Sequence, residues 1–220
     1  MTQTWDPADL TRPVFPADLI VHALTQNQDR PAVNILGQRE ITGGEMAEMV
    51  SRYAQALRSK GLGQGEQMSV LALNRPEVLF NMGASQINAT RTTPLHPMGS
   101  LEDQAYVLTD CGARALIFDP DNFTERAREL AERVPTIEHW LALGPTEFGE
   151  DLNALAMTFE PQPLVAPRVE ADDVAGISYS GGTTGKPKGI MSTYRSGAAM
   201  TTIQMAEWDW PEEVRFLICT

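Results

Sequence analysis

The sequence predicts an α/β fold with a mainly parallel sheet, helices on both faces of that sheet, and a small hairpin near the N-terminus. Short apolar segments alternate with segments of helical period along the chain, which is typical of βαβ units. Two short segments joined through Gly37-Gln38 precede the first such unit and predict the hairpin. A stretch rich in glycine, hydroxyls and lysine follows one apolar segment at residues 180–189. Ligand-binding loops of parallel sheets occupy this kind of position.

The first half of the chain contains one clear amphipathic helix. Its apolar residues recur at helical spacing from Met46 to Leu57, which gives one face for a core. Gly61 then stands where a left-handed cap would end the helix. The predicted elements of this half, in order, are a helix over 18–24, hairpin strands over 32–36 and 39–42, the helix over 46–57, a strand over 68–73, and a helix that Pro76 opens.

The second half continues the alternation of strands and helices. Its predicted elements are a turn over 94–97, a helix over 101–111, a strand over 114–118, a helix over 123–134, a strand over 137–143, a brief helix over 152–156, an extended connector over 161–169, a buried central strand over 174–179, a helix over 193–208 and a strand over 214–220. In the turn, His96 is interpreted as structural rather than catalytic. In the late helix, Met200, Ile203, Met205 and Trp208 are expected to pack in the core rather than line an acyl pocket.

Composition and charge exclude several classes of function. The formal net charge of −12 argues against a nucleic-acid partner, because binding phosphates requires clustered lysine and arginine. Met1 to Leu10 contain no secretory signal, and no apolar run reaches the length of a membrane span. The cytoplasm is therefore the predicted compartment. Cys111 and Cys219 lack metal-ligand or disulfide spacing, so no metal ligand is predicted and both thiols are expected to be buried and inert.

The stretch around residue 180 has the composition of an anion-binding loop. Glycines let backbone N–H groups converge, hydroxyls add donors, and lysines add charge. No carboxylate occurs from Val174 to Ala206, whereas Lys186, Lys188 and Arg195 do. The predicted cofactor-binding residues are Ser180, Gly181, Gly182, Thr183, Thr184, Gly185, Lys186 and Lys188. A mobile surface turn remains the simpler alternative.

Two well-known phosphate motifs do not fit this stretch. A Walker A loop would need glycine at position 180 and a hydroxyl at position 187, where the chain has Ser180 and Pro187. A dinucleotide fingerprint would need alternate glycines, whereas Gly181 and Gly182 are adjacent. The sequence YSGGTTGKPKGI from Tyr179 to Ile190 instead resembles the signature phosphate loop of the adenylate-forming (AMP-binding) enzymes, usually written YTSGTTGKPKGV.

Two further segments are similar to the same family. Pro94-Leu95-His96-Pro97 resembles its P-L-N-P turn, with histidine in place of asparagine, and Ser192-Thr193-Tyr194-Arg195 resembles its L-T-H-R segment, with tyrosine in place of histidine. The resemblance implies that residues 1–220 form the amino-terminal part of the family's large domain, and any subdomain break is expected near 161–173. Family members are more than twice as long. We therefore expect a truncated form without the C-terminal domain and without a catalytic residue of its own.

The resemblance also implies a reaction for the complete enzyme. A small-molecule carboxylic acid, of the fatty or aromatic type, would be activated with ATP and Mg²⁺ to an acyl-adenylate and then transferred to coenzyme A. This is the chemistry of an acyl-CoA synthetase, an acid-thiol ligase. The part of the enzyme in this chain is expected to be inactive alone. Two alternatives stay open: an adenylating enzyme that transfers to a carrier protein, and a non-catalytic nucleotide-binding module. The identity of the acid and the oligomeric state are not predicted.

Overall fold

The computed structural model describes residues 13–35, 37–180, 185–211 and 214–218. Their helices are α1 (Pro16–Gln26), α2 (Gly43–Ser59), α3 (Pro76–Asn88), α4 (Leu101–Asp110), α5 (Pro120–Arg133), α6 (Leu152–Ala156) and α7 (Tyr194–Glu207). Their strands are β1 (Pro31–Asn34), β2 (Glu40–Thr42), β3 (Gln67–Leu71), β4 (Arg91–Pro94), β5 (Ala115–Phe118), β6 (His139–Ala142), β7 (Glu150–Asp151), β8 (Val174–Ser180) and β9 (Lys188–Thr193).

The ends of α2 follow from local sequence. Thr42 and Glu45 form a reciprocal capping box, in which the Glu45 N–H donates to the Thr42 hydroxyl at 3.2 Å and the Thr42 N–H donates to the Glu45 carboxylate at 2.8 Å. These bonds satisfy backbone donors that a helix start leaves without partners. At the other end, Gly61 takes the left-handed conformation with φ +73°, as the sequence predicts.

The main sheet has seven strands in the order β7-β6-β5-β3-β4-β8-β9. Strands from β7 to β8 run parallel, and β9 alone pairs antiparallel, with β8. A separate two-stranded sheet joins β1 to β2 in antiparallel register. The predicted α/β class, the mainly parallel sheet and the N-terminal hairpin are confirmed.

Helices cover both faces of the sheet, and each face has its own core. Along β5, Ala115 and Ile117 belong to a cluster with residues of α2 and α3, whereas Leu116 and Phe118 belong to a cluster with residues of α4 and α5. This split follows from strand geometry, because successive side chains of a strand point to opposite faces. A strand buried on both faces is continuously apolar, and β5 is buried at every position.

The strand order creates a crevice at the carboxyl edge of the sheet. The chain passes from β3 to its neighbour β4 through α3, and then returns to the other neighbour of β3, β5, through α4. Because α3 and α5 cover opposite faces, the loops that leave β3 and β5 diverge. Such a topological switch point is where open α/β sheets bind ligands.

Several expectations for the last third of the chain are wrong. Lys188 to Ile190, expected at the end of the loop, belong instead to β9 (Lys188–Thr193), and β8 is the sixth of the seven described strands rather than a central one. No residue of β8 is fully buried. In α7, Met200, Ile203 and Met205 are exposed, as is Trp208 directly after it. Residues 214–218 form no strand, and 219–220 lie outside the described residues.

The connector at 161–169 forms no helix or strand and is hydrogen-bonded to α2. The Gln162 N–H donates to the Ser51 hydroxyl at 2.7 Å, and Leu164 packs in the same core as Val50. The division of the chain into subdomains near 161–173 stays a prediction. Among the described residues, no helix is long and apolar enough to cross a membrane.

Candidate phosphate-binding loop

The candidate loop is the tip of the hairpin formed by β8 and β9. Ser180 is the last residue of β8 and pairs in register with Lys188, the first residue of β9. Ser180, Gly185, Lys186 and Lys188 are all exposed at this tip. Gly181, Gly182, Thr183 and Thr184 lie outside the described residues, so their predicted role in binding stays a prediction.

Two glycines of the hairpin are closely packed. A Cβ atom on Gly176 would lie 2.8 Å from the Thr92 carbonyl oxygen on β4, a clash with backbone. A Cβ atom on Gly189 would lie 3.1–3.3 Å from the side chains of Ile177 and Tyr179, the latter directly across the hairpin. Among the described residues, no atom lies within 4 Å of the Cβ position of Gly185. The hairpin therefore needs glycine at position 176, and Gly189 lets its two strands approach closely.

A hydrogen-bond network joins the base of the loop to α4. The Tyr179 hydroxyl donates to Asp110 Oδ2 at 2.6 Å, and the Tyr106 hydroxyl donates to Asp110 Oδ1 at 3.3 Å. The Lys186 ammonium lies 4.9 Å from the centre of the Tyr106 ring, within the range of a cation–π contact. The Asp110 carboxylate thus accepts from Tyr179, which precedes the loop, and from Tyr106, which contacts Lys186 in the loop. The sequence interpretation missed this link.

The two loop lysines lie on different sides of the hairpin. Lys186 contacts Tyr106 on the α4 side. Lys188 pairs with Ser180, and side chains alternate along a strand, so Lys188 points to the face opposite Tyr179. Within the described ranges, neither lysine has a carboxylate at ion-pair distance. Both charges are therefore available to an external anion.

Arg195 does not contribute to the positive charge at the loop. Its guanidinium forms two hydrogen bonds with Asp172, at 2.8 and 3.1 Å, and it follows Tyr194 at the start of α7. This position is at the far end of the hairpin, where Val174 pairs with Thr193. On sequence alone, Arg195 counts with the two lysines as positive charge near the loop, and the structure corrects this.

The tyrosines give a prediction for alkaline pH. The pKa values of Tyr53, Tyr106, Tyr179 and Tyr194 are all raised above the ordinary 10.0, chiefly by burial, and those of Tyr179 and Tyr106 also by the Asp110 carboxylate. At a pH near 10.0 the folded chain should show much less tyrosinate absorbance than the urea-unfolded chain. Since the unfolded chain loses its phenolic protons first, stability falls as pH rises above that value. Equal absorbance in the two states would contradict this.

The crevice at the switch point is an open groove of about 590 Å³. Its lining includes Leu73, Asn74 and Arg75 after β3 and Asp119 after β5, and none of its lining residues belongs to the loop. Arg75 donates to Asp119 at 2.6 Å and to Glu77 at 2.9 Å. The sequence interpretation did not find this cluster, although a charged or polar residue directly after each apolar strand was a usable signal.

The described residues contain no group of three or more histidine, cysteine or acidic side chains that could hold a metal ion. His96 is a turn residue, since its Nδ1 accepts from the Met98 N–H at 3.1 Å. Cys111 is half-buried, and burial raises the pKa of its thiol. A protonated thiol is unreactive, in line with the inert role predicted for Cys111. Cys219 lies outside the described residues.

The fold and the loop together define a mainly parallel α/β protein with two exposed lysines, which have no carboxylate partner among the described residues, beside a glycine-rich turn at the carboxyl edge of its sheet. The family model described as "AMP-binding enzyme" matches residues 20–220. The chain therefore belongs to the AMP-binding enzyme family, and the resemblance seen in the loop is confirmed.

Relatives in sequence and structure agree with this family. The chain is 46% identical over 217 residues to the medium/long-chain-fatty-acid–CoA ligase FadD8 of Mycobacterium tuberculosis, a match covering 96% of this chain and 38% of that protein. It is 30% identical over 168 residues to the 3-hydroxybenzoate–CoA ligase of an Aromatoleum species, covering 76% of this chain and 31% of that protein.

A solved structure shows the same fold. The anthranilate CoA ligase AuaEII, in complex with anthranoyl-AMP, superposes with a TM-score of 0.76 at 24% identity, covering 87% of this chain and 37% of that one. The chain thus spans less than two fifths of the length of each of these three proteins.

Proposed function

We propose that this chain is the phosphate-binding part of an acyl-CoA ligase that activates a fatty acid. The acid's carboxylate attacks the α-phosphorus of ATP, forming an acyl-adenylate and releasing pyrophosphate. The thiol of coenzyme A then attacks the acyl carbonyl and releases AMP. The observation that carries this proposal is the 46% identity to a fatty-acid–CoA ligase over 96% of the chain. The cytoplasm stays the predicted compartment.

The described residues fit the phosphates of ATP. Lys186 and Lys188 are exposed at the loop and have no carboxylate partner within the described part of the chain. Among the described residues, no atom lies within 4 Å of the Cβ position of Gly185. Phosphate oxygens accept hydrogen bonds from ammonium groups, and a fixed positive charge stabilises pyrophosphate as it leaves. Mg²⁺, when bound, would neutralise part of the phosphate charge, and no cluster among the described residues offers it a protein site.

Positions on opposite faces of the hairpin suggest separate tasks for the two lysines. A triphosphate at the tip can be contacted from the α4 side by Lys186 and from the other side by Lys188. Two cations that approach an anion from opposite sides fix its position better than one, and positioning of reacting groups is a large part of catalysis. The loop thus contributes binding and orientation, and we assign no proton transfer to it.

Two other functions remain to be distinguished. Transfer to a carrier protein would use the same adenylation step and the same loop, so the acceptor must be identified with the complete protein. A nucleotide-binding module without chemistry would instead require the chain to bind ATP tightly by itself. Calorimetry with ATP separates this module from a ligase part, because micromolar binding supports the module and millimolar binding supports an incomplete site.

The loop's role is tested by replacing its lysines. Lys186→Ala and Lys188→Ala are each expected to weaken pyrophosphate binding by about tenfold or more, since each removes a charge-assisted hydrogen bond. Binding is measured by calorimetry on the 220-residue chain, and adenylation by pyrophosphate exchange with the complete protein. Lys60→Ala is the matched control, because Lys60 pairs with Glu150 at 2.6 Å and is not part of the loop. Unchanged affinity in both loop variants would refute the proposed site.

A further inference from the structure

The C-terminal half of α4 contacts both ends of the candidate loop. Asp110, its last residue, accepts from Tyr179, which directly precedes Ser180. Tyr106, one turn earlier, places its ring under the ammonium of Lys186. The Tyr106 hydroxyl also donates to Asp110. The residue directly before the loop and a lysine within it therefore both contact α4, through Asp110 and Tyr106, which are hydrogen-bonded to each other.

The strengths of these contacts differ. The bond from Tyr179 to Asp110 is short, at 2.6 Å, and hydrogen bonds to an ionised carboxylate are stronger than neutral ones. The bond from Tyr106, at 3.3 Å, is longer and weaker. With its hydroxyl bonded to Asp110, the Tyr106 ring turns its face towards Lys186. A cation above an aromatic face is attracted to it, so Lys186 has a defined place before any anion binds.

We propose that Asp110 and Tyr106 are positioning residues for the phosphate-binding loop. Asp110 fixes the strand that leads into the loop, through Tyr179, and Tyr106 fixes Lys186 on the α4 side of it. The proposal rests on the proposed function, because it takes polyphosphate as the ligand of the loop. Neither residue needs to touch the phosphates, and both act by limiting the positions from which the loop can bind them.

These contacts can be removed without disturbing the core. Asp110 is exposed, and Tyr179→Phe keeps the ring that packs on the α4 side of the sheet while removing the hydroxyl. Tyr106→Phe keeps the ring under Lys186, whereas Tyr106→Ala removes it. Tyr194→Phe is a matched control, because Tyr194 is buried against Phe15 and lies at the far end of the hairpin.

The first test measures pyrophosphate affinity of the 220-residue chain by calorimetry. Asp110→Ala and Tyr179→Phe are each expected to weaken binding by about tenfold, because a loop that is less well positioned loses more conformational freedom when it binds. The double variant should bind no more weakly than Asp110→Ala, because both changes break the same contact. Tyr106→Ala should weaken binding, and Tyr106→Phe should restore it to within about twofold. Circular dichroism should show that all variants remain folded at the titration temperature, and additive losses of affinity would overturn the proposal.

A second measurement needs no ligand and separates this proposal from the proposed function. Hydrogen exchange at the backbone amides of Ser178 to Ser180 and Lys188 to Ile190, which pair across the hairpin, is expected to be about tenfold faster in Asp110→Ala and Tyr179→Phe, and unchanged in Tyr194→Phe. If the wild-type chain binds neither pyrophosphate nor ATP, the proposed phosphate role fails for this chain, while faster exchange still supports positioning by α4. Unchanged exchange in Asp110→Ala overturns the positioning role whatever the affinities are.

Discussion

Replacing Asp119 with alanine is expected to lower the free energy of unfolding by about 3 kcal/mol, since it removes a cap and a charged hydrogen bond together. Asp119 is 2% exposed. Its carboxylate accepts from Arg75 at 2.6 Å, from the Asp121 N–H at 3.1 Å and from Asn122 at 2.7 Å. The change removes the cap of α5 and leaves Arg75 without its most buried partner. Urea unfolding, followed by circular dichroism, measures the loss.

Two further variants separate the cap from the charge. Asp121 is 80% exposed and lies 3.4 Å from the same arginine, so Asp121→Ala should cost about 0.5 kcal/mol or less. Asp119→Asn keeps an acceptor for the helix cap and loses the charge, so it should fall between wild type and Asp119→Ala. Equal free energies of unfolding for Asp119→Ala and Asp121→Ala would show that burial of Asp119 does not make its interactions more stabilising than those of the exposed Asp121.

Phe118→Ala is expected to destabilise the chain by about 3–5 kcal/mol, the usual cost of removing a buried aromatic ring. Phe118 is fully buried on the α4 and α5 side of the sheet, and its ring centre lies 6.2 Å from that of Phe148. Its removal loses apolar burial and leaves a cavity between β5 and the helices. Thermal and urea unfolding should both report the loss.

Phe216→Ala is the matched control for this core variant. Phe216 also stands in an apolar segment that the sequence predicts to be a strand, but it is 73% exposed. Its replacement is expected to change stability by about 0.5 kcal/mol or less, as is usual for surface sites. A comparable loss in both variants would mean that Phe216 has a partner in solution, and would contradict the burial described for residues 214–218.

Most of the fold could be predicted from the sequence because local patterns carried it. The stripe from Met46 to Leu57 and the continuous apolar run at 115–118 each identify an element and the surface it buries. The position of the loop after a strand was also predictable, because the segment from Val174 to Tyr179 is followed directly by a run of glycines and hydroxyl residues. In these segments, local preference and tertiary structure agree.

The features that the sequence did not predict depend on contacts between distant residues. Lys188 to Ile190 belong to the glycine- and lysine-rich stretch that predicts a loop, whereas their strand is formed through pairing with the distant residues of β8. Met200 and Ile203 of α7 are apolar, and the sequence shows this directly. Whether they are buried depends on which other elements pack against α7, and the sequence pattern does not show that. Asp110 and Tyr179 are far apart in sequence, so their hydrogen bond requires knowledge of the strand order.

The pairing of β8 has a consequence for how the loop can move. β8 is joined to β4 by one residue pair in register, Thr92 with Gly176, but to β9 by pairs along its whole length. The two strands of the hairpin are therefore expected to move together. When a ligand displaces the tip, both strands should tilt as one unit about Gly176. The hydrogen bond from Tyr179 to Asp110 on α4 would limit the size of this movement.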